Sequence, residues 1–288
     1  MDHRALEPWQ LIERSITKKY RKELWSPFTA AVKRYRLIES GDRIAVCISG
    51  GKDSMLLAKL MQILQRFSDV PFEAAYLVMD PGYNPENRRR IEENAALLHI
   101  PATIFESDIF KVTDRVDGNP CYLCARMRRG HLYAKARELG CNKIALGHHL
   151  NDVIETTVLA MFYGAQLQGM MPKLHSTNFP GMELIRPLYC VREDDIVAWA
   201  RYNGLQFIRC ACRMTEHSAV DSGASKRQEI KALIRSLRGV DPGIEQNIFN
   251  AIHQVTLDTF PAWKKGGVTH SFLETYDRAG EGEEGTDI

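Results

Sequence analysis

The alternation of strand-like and helix-like segments constrains the fold of this chain more than any other feature. From Arg43 onward, short apolar runs typical of buried strands alternate with longer segments in which apolar residues recur three and four positions apart. Parallel strands need a crossover of about a dozen residues or more, usually a helix, so this alternation favours parallel pairing. We therefore predict an α/β fold with a mainly parallel, doubly wound sheet and helices on both faces.

The predicted elements divide the chain into four parts. Strands are expected at residues 43–48, 72–79, 102–106 and 143–149, and helices at residues 54–67, 86–99, 125–139 and 151–164. Beyond Pro187 the pattern is mostly helical, and the tail from Asp277 is acidic, rich in glycine and poor in apolar residues. We expect a basic helical segment at residues 1–40, the α/β domain at 41–190, a smaller helical region at 191–265 and a disordered tail at 266–288.

Charge is nearly balanced, at +2 over 288 residues, so any basic surface must be local. One such region is residues 9–36, where Lys and Arg alternate with apolar positions in a pattern that suits one or two amphipathic helices. These charges suit either a solvated helix face or a cationic arm for a phosphate backbone. No segment has the roughly 18 to 20 apolar residues of a membrane span, and the N-terminus lacks the apolar core of a signal peptide, so a cytoplasmic location without a membrane partner is expected.

The first predicted strand runs into Ser49-Gly50-Gly51-Lys52-Asp53-Ser54, which opens the next helix. Glycines at this point let the backbone close on a phosphate, and the unpaired N–H groups of the helix start point toward it. Lys52 adds positive charge, and Ser49 and Ser54 add hydroxyl groups. The segment therefore predicts a phosphate site at the end of a parallel strand.

Spacing separates this loop from two common nucleotide motifs. A Walker A loop needs a glycine where this chain has Val46, and Ser or Thr where Asp53 follows the lysine. A dinucleotide fingerprint reads Gly-x-Gly-x-x-Gly, whereas the two glycines here are adjacent. The segment instead resembles the signature of the PP-loop ATP pyrophosphatases.

This resemblance implies that residues 41–190 bind ATP and that ATP is cleaved between its α- and β-phosphates. The loop residues Ser49, Gly50, Gly51, Lys52 and Ser54 would hold the phosphates, and Asp53 would help to hold Mg²⁺. A second family motif matches Gly147-His148-His149-Leu150-Asn151-Asp152 and places Gly147, His148 and Asp152 beside the α-phosphate. Many relatives carry an Asp where this chain has Asn151, so Asp152 is the one acid of this second motif that is expected to act in catalysis. It would act together with Lys52 and Asp53 of the loop.

The seven cysteines are too few, and odd in number, for a disulfide framework. Cys121 and Cys124 form a C-x-x-C pair, and Cys210 and Cys212 lie much later in the chain. Residue chemistry alone leaves structural zinc and a [4Fe–4S] cluster open, and it disfavours a redox dithiol, whose C-x-x-C belongs in a small redox fold. The other three cysteines are expected to be small buried hydrophobes; they are Cys47, Cys141 and Cys190.

Several segments together resemble the tRNA 2-thiocytidine synthetases, the TtcA family. They are CYLCARMRRGHLY, LGHHLND, MFYGAQLQGMMPKL, IRPL and IRCAC, and the likeness runs from about Lys19 to Pro261. It implies a [4Fe–4S] cluster held by Cys121, Cys124 and Cys210. Cys212 is a rival for the third place, because the family usually has C-x-x-C where this chain has Cys-Ala-Cys.

The resemblance also implies an ATP-dependent tRNA sulfurtransferase. Such enzymes adenylate the C2 carbonyl of a cytidine in the anticodon loop, at position 32, and replace its oxygen with sulfur delivered through the cluster. A sulfur donor, either a cysteine desulfurase or sulfide, and a homodimer are implied as well. The alternatives are another adenylating PP-loop tRNA enzyme, a 2-thiouridine synthetase or a lysidine-type ligase, with the cysteines as structural zinc ligands, and a binding module without turnover.

Basic residues on the helix after the C-x-x-C pair are candidates for contact with RNA. Related 2-thiouridine synthetases have a catalytic lysine at the position of Arg128, which is suited to holding a phosphate or stabilising developing charge. The charges fit either helix solvation or a broad RNA surface, and their place beside the proposed site favours RNA. They are Arg126, Arg128, Arg129, His131, Lys135 and Arg137.

Overall fold

The structure is a computed structural model that describes residues 6–107, 120–208, 226–274 and 276, with the backbone alone for residues 120–126. The strands of its main sheet are β1 (Arg43–Ile48), β2 (Glu73–Asp80), β3 (Ala102–Glu106), β4 (Lys143–Ala145), β5 (Lys173–His175) and β6 (Glu183–Ile185). They lie in the order β3-β2-β1-β4-β6-β5, and only the edge strand β5 is antiparallel to its neighbour. The predicted, mainly parallel α/β fold is confirmed.

Helices precede, separate and follow these strands along the chain. They are α1 (Pro8–Arg14), α2 (Ser26–Arg34), α3 (Lys52–Phe67), α4 (Pro85–Leu97), α5 (Pro120–Glu138), α6 (Leu150–Gly164), α7 (Glu193–Tyr202), α8 (Lys226–Val240) and α9 (Ile244–Ala251). The helix predicted at residues 86–99 is present as α4, and the Asn84 side chain caps its start by accepting a hydrogen bond from Asn87 N at 2.7 Å.

Alternate residues of β1 face two separate apolar cores. Ile44, Val46 and Ile48 pack in the larger core with residues of α3, whereas Ala45 and Cys47 pack in a smaller core with residues of α5. Because successive side chains of a strand point to opposite faces, α3 and α5 lie on opposite sides of the sheet. A strand buried on both faces explains why the sequence of β1 is a continuous apolar run.

The strand order reverses beside β1. The chain passes from β1 through β2 to β3 on one side, and β4 then pairs with the other side of β1. In open parallel sheets, ligands bind outside the carboxyl ends of the strands at such a switch point. The loops that follow β1 and β4 are therefore placed together where a ligand is expected.

The N-terminal helical segment is present but irregular. Two π-helical turns, Ser15–Lys19 and Arg21–Trp25, separate α1 from α2. Lys59 of α3 is fully buried, and its Nζ lies 3.1 Å from Glu13 Oε2 of α1 and donates to Leu98 O at 3.1 Å. Burial lowers the pKa of Lys59, and the pairing with Glu13 works against that change. This buried pair fixes the N-terminal segment to the α/β domain.

Residues 237–288 form a second compact unit, which contains α9 and a hairpin of β7 (Ala262–Lys265) and β8 (Val268–Ser271). The prediction of disorder for residues 266–288 is therefore wrong for β8. Gly266 and Gly267 both have positive φ, the geometry of a tight hairpin turn, and this two-residue turn joins the two strands. Residues 277–288 lie outside the described part of the chain.

Among the helices in the described ranges, none is long and apolar enough to cross a membrane.

Candidate active site

The chain turns sharply between β1 and α3 at Ser49, Gly50 and Gly51. Gly50 has a φ of +85°, which residues with a side chain rarely adopt. A Cβ atom on Gly50 would lie 2.6 Å from Ile91 Cγ1 and 2.7 Å from Ile208 Cδ1. Both the backbone conformation and the close packing therefore require glycine at this point of the loop.

The hydroxyl of Ser54 closes the loop from inside. Ser54 Oγ accepts a hydrogen bond from Ser49 N at 3.1 Å and donates one to Gly51 O at 2.9 Å. Ser49 Oγ lies 3.2 Å from Ser54 Oγ, and Ser54 is almost fully buried. Ser54, predicted as a phosphate ligand, thus has partners within the loop and fixes its shape.

The start of α3 is suited to binding an anion. Gly51 is the N-cap residue and offers no side chain to cap the helix. The first-turn N–H groups of an uncapped helix, together with the helix dipole, favour a phosphate.

Lys52 is held between two carboxylates. Its Nζ lies 3.1 Å from Asp53 Oδ2 and 3.1 Å from Glu193 Oε1. Burial alone would lower the pKa of Lys52, but the charges of Asp53 and Glu193 outweigh it and raise the pKa. The ammonium group is therefore charged at neutral pH and lies beside the loop.

Glu193, at the start of α7, was not among the residues predicted for the site. Burial would raise its pKa, but hydrogen bonds and charge from Lys231 and Lys52 prevail and lower the pKa to about 2. The carboxylate thus stays ionised over the working range of pH and links α8 to the loop through its two oxygens.

Asp53 has one oxygen that is buried and accepts no hydrogen bond, Oδ1. His149 Nε2 lies 3.7 Å from this oxygen, beyond hydrogen-bonding distance. A buried carboxylate oxygen without a partner is costly, and a divalent cation prefers such a ligand. The predicted Mg²⁺ ligand therefore has an atom that fits the ion.

The loop after β4 packs directly on this loop. A Cβ atom on Gly147 would lie 3.1 Å from the backbone of Asp53 and Ser54, so the close approach requires glycine. His149 begins α6 with a reciprocal cap: its N–H donates to Asp152 Oδ2 at 3.0 Å, and its Nδ1 accepts from Asp152 N at 3.3 Å. The predicted residues Gly147, Asp53 and Asp152 are thus brought to one place.

A cavity of about 330 Å³ lies between the two loops and α5. His148, Asp152 and Arg128 line it together with Asp53 and Ser49. The Nδ1 atom of His148 is buried and has no hydrogen-bond partner. Burial, assisted by the charge of Arg186, lowers the pKa of His148 to about 4, so its ring is neutral at pH 7.

Asn151 has a defined structural role. Its Oδ1 accepts a hydrogen bond from Glu193 N at 2.9 Å. It therefore satisfies a free N–H at the start of α7 and holds that helix beside the loop.

The cysteines fall into two groups in the structure. Cys47 and Cys141 are buried and Cys190 is partly buried, and all three are free thiols, as predicted for packing residues. Burial raises the pKa of Cys47 to about 12, so its thiol stays protonated. Cys121 and Cys124 lie in the first turns of α5, where the structure gives the backbone alone, and Cys210 and Cys212 lie outside the described residues.

A family model described as a PP-loop domain matches residues 17–214 of the chain. The tRNA-cytidine(32) 2-sulfurtransferase of Alkalilimnicola ehrlichii is 40% identical over 231 residues, which are 78% of this chain and 70% of the relative. The protein of the same name from Geobacter metallireducens is 35% identical over 243 residues, 83% of this chain and 91% of the relative. The chain belongs to the tRNA-cytidine(32) 2-sulfurtransferase family.

The membership confirms the resemblance to the TtcA family and to the PP-loop proteins that the motifs indicated. Among solved structures, the U34-tRNA thiolase NcsA of Methanococcus maripaludis, with its [4Fe–4S] cluster, is similar at a TM-score of 0.63 and 19% identity. The match covers 91% of this chain and 89% of that one. At this identity the likeness shows that the sulfurtransferase family and the thiolase share a fold.

Three site residues of this sulfurtransferase family member were missed by sequence reasoning: Glu193, Arg227 and Lys231. Arg227 Nη2 donates to Asp152 Oδ1 at 2.8 Å, and Lys231 donates to the Glu193 carboxylate. Arg227 and Lys231 are four residues apart, a spacing that places both on one face of α8. The shared helix face could be inferred from this spacing, but nothing in the sequence indicated that α8 faces the loop.

Proposed function

We propose that the protein is an ATP-dependent tRNA thiolase that acts on a cytidine in the anticodon loop, at position 32 as in the names of its relatives. The C2 carbonyl oxygen attacks the α-phosphorus of ATP, and pyrophosphate leaves. Sulfide then adds at C2, and AMP departs with the former carbonyl oxygen. A C–O bond is replaced by a C–S bond without a net change in oxidation state.

The observation that carries this proposal is the unpaired Oδ1 of Asp53 next to the charged Lys52 at an uncapped helix start. Together these groups present a cation, backbone N–H donors and a metal ligand to a polyphosphate. We assign the β- and γ-phosphates to the loop and Lys52. Asp53 would hold Mg²⁺, and Asp152 would lie beside the α-phosphate. Such groups stabilise charge on the leaving pyrophosphate because they are already in place when it forms.

Cys121, Cys124 and Cys210 are the proposed ligands of a [4Fe–4S] cluster, a group that the thiolase of the same fold carries. Cys121 and Cys124 are three residues apart in α5, where they form a C-x-x-C pair. Thiolates are the ligands that such clusters require. When bound, the cluster supplies the sulfur that replaces the carbonyl oxygen.

The tRNA would approach along α5, toward the cavity between the two loops. Arg128 lines this cavity, and Arg129, His131 and Arg137 are exposed on the same helix. An anticodon-loop base is single-stranded, so it can be turned into such a cavity. A sulfur donor, either a cysteine desulfurase or sulfide, and a homodimer remain predictions.

The proposal is tested by mass spectrometry of tRNA nucleosides from cells that lack the protein. We expect loss of 2-thiocytidine alone, with restoration by the wild-type gene and not by an Asp152→Asn variant. Loss of a different modified base, with 2-thiocytidine retained, would overturn the choice of substrate.

The alternative is another adenylating PP-loop tRNA enzyme in which the cysteines hold structural zinc. Anaerobic purification distinguishes this zinc protein from a cluster protein. A cluster makes the protein brown with broad visible absorbance. We expect this absorbance to be lost in Cys121→Ala and kept in Cys141→Ala, because Cys141 is buried in the smaller core. A colourless wild-type protein with one tightly bound zinc would favour the alternative.

A further inference from the structure

Lys231 shares the carboxylate of Glu193 with the loop lysine. Its Nζ donates to Glu193 Oε2, while Lys52 Nζ lies 3.1 Å from Glu193 Oε1. The Glu193 side chain is only 19% exposed, compared with 40% for Lys231. A largely shielded carboxylate is thus held between two ammonium groups from different elements, α3 and α8.

A phosphate at the loop competes with Glu193 for the ammonium group of Lys52, which can exchange the carboxylate for a phosphate oxygen. If Lys52 were the only cation at Glu193, this exchange would leave a largely shielded carboxylate unpaired, which is costly. Lys231 removes that cost because it remains paired with Glu193 after Lys52 has turned away. Asn151 keeps the start of α7 in place through its hydrogen bond to Glu193 N, so the carboxylate stays within reach of Lys231.

We infer that Lys231 is a positioning residue of the ATP site, which keeps Glu193 paired so that Lys52 is released to the phosphates. The inference rests on the proposed function, in that the loop is taken to bind ATP. Lys231 acts through Glu193 and Lys52 and is not assigned a contact with the nucleotide.

The test is a set of ATP·Mg²⁺ affinities measured by calorimetry at physiological ionic strength for the wild type, Lys231→Met, Glu193→Gln and the double variant. We expect Lys231→Met to bind ATP about tenfold more weakly, the size of one charge-assisted contact. Glu193→Gln should bind ATP more tightly than the wild type, because Lys52 no longer leaves an ion pair. When Glu193→Gln is already present, Lys231→Met should have no further effect, so the double variant should bind like Glu193→Gln alone.

Two other roles for Lys231 give different patterns. If the pair serves only to pack α8, both single variants bind ATP more weakly, which would overturn the inference. If Lys231 attracts the nucleotide by its charge, Lys231→Met weakens binding equally with and without Glu193→Gln, which would overturn it as well. Arg235→Met is the matched control, because Arg235 is exposed one turn further along α8.

Adenosine, which has no phosphates, is the second control. Its affinity should be the same in the wild type and Lys231→Met, because the effect acts through the phosphate-binding lysine. A wild-type protein that binds no ATP would overturn the proposed function together with this inference. A wild-type protein that binds ATP with the same affinity as Lys231→Met would overturn the inference alone.

Discussion

The guanidinium of Arg227 lies 2.8 Å from the carboxylate of Asp152, although 75 residues separate them in the chain. Its Nε also donates to Glu155 Oε2 at 3.1 Å. One arginine of α8 thus neutralises two acids on adjacent positions of one face of α6. Burial raises the pKa of Glu155, and the charge and hydrogen bond of Arg227 work against that rise. The orientation of Asp152 therefore depends on a helix distant in sequence.

Replacement of Arg227 by Ala should lower both stability and activity. Glu155 has a side chain only 7% exposed and would lose its partner, which should cost about 1–2 kcal/mol of unfolding free energy. Urea unfolding of Arg227→Ala and of Arg227→Ala with Glu155→Gln measures this cost. The added Glu155→Gln should restore part of the stability without restoring pyrophosphate release, and a full recovery of release would show that Asp152 does not need Arg227.

Replacement of Gly50 by Ala should distort the loop. The positive φ and the contacts of the new Cβ with Ile91 and Ile208 should together cost about 2–4 kcal/mol. Gly130→Ala is the matched control, since Gly130 lies in α5 with open space around it and should be stabilised by about 0.5–1 kcal/mol. Thermal unfolding compares the two, and equal stabilities would contradict the packing at Gly50.

Replacement of Asp53 by Asn should raise the Mg²⁺ concentration that the reaction needs and remove most of the activity. An amide is a weaker ligand than the unpaired carboxylate oxygen, so tRNA-dependent pyrophosphate release should fall about a hundredfold or more. A titration with Mg²⁺ at fixed ATP measures the change. Asp69→Asn, at an exposed position beyond α3, should titrate like the wild type. An unchanged Mg²⁺ titration in Asp53→Asn would exclude Asp53 as a ligand.

The stability of the protein should fall as the pH drops from about 6.5 to about 4, in part because of His148. Burial lowers the pKa of His148 to about 4 from its ordinary 6.5. In this window the unfolded chain takes up a proton that the folded protein does not, so acid favours unfolding. The unfolding free energy of His148→Gln should depend less steeply on pH than that of the wild type.

His175→Gln is the control for this measurement, because the side chain of His175 is 86% exposed. Parallel curves for the wild type and His148→Gln would contradict a lowered pKa of His148.

Cys210 and Cys212 should differ in their effect on the proposed cluster. We expect Cys210→Ala to lose the visible absorbance and iron of the anaerobically purified protein, because Cys210 is the proposed third ligand of the cluster. Cys212→Ala should retain both. The reverse result would assign the third position to Cys212 and leave the rest of the proposal intact.

The sequence predicted the elements whose signal is local. β1 was predicted at its observed bounds because a strand buried on both faces is a continuous apolar run. The loop after β1 was predicted to bind phosphate because an ordinary strand-to-helix turn does not need glycine, lysine and aspartate together. Gly147 and Asp152 were found through the family motif, and the structure brings them to the same loop.

The contacts between distant elements were not predictable in this way. In the sequence, Glu193 and Lys231 are indistinguishable from charged residues on solvated helix faces. Their role arises only from the packing of α7 and α8 near the loop. β5 and β6 are three residues each and carry too little periodicity to be recognised. The hairpin was missed because its four-residue strands carry little periodicity: β7 lies in the predicted helical region and β8 in the predicted disordered tail.

The shortness of β5 bears on how the protein behaves when crowded. β5 ends the main sheet, where unpaired N–H and C=O groups of an edge strand can recruit a strand from another molecule. It offers only three residues, its Lys173 side chain is tied to Arg36 O, and His175 points a polar ring into solvent. At β5, the sheet that carries the site thus ends in a short and polar edge, and these features disfavour pairing with a strand from another molecule.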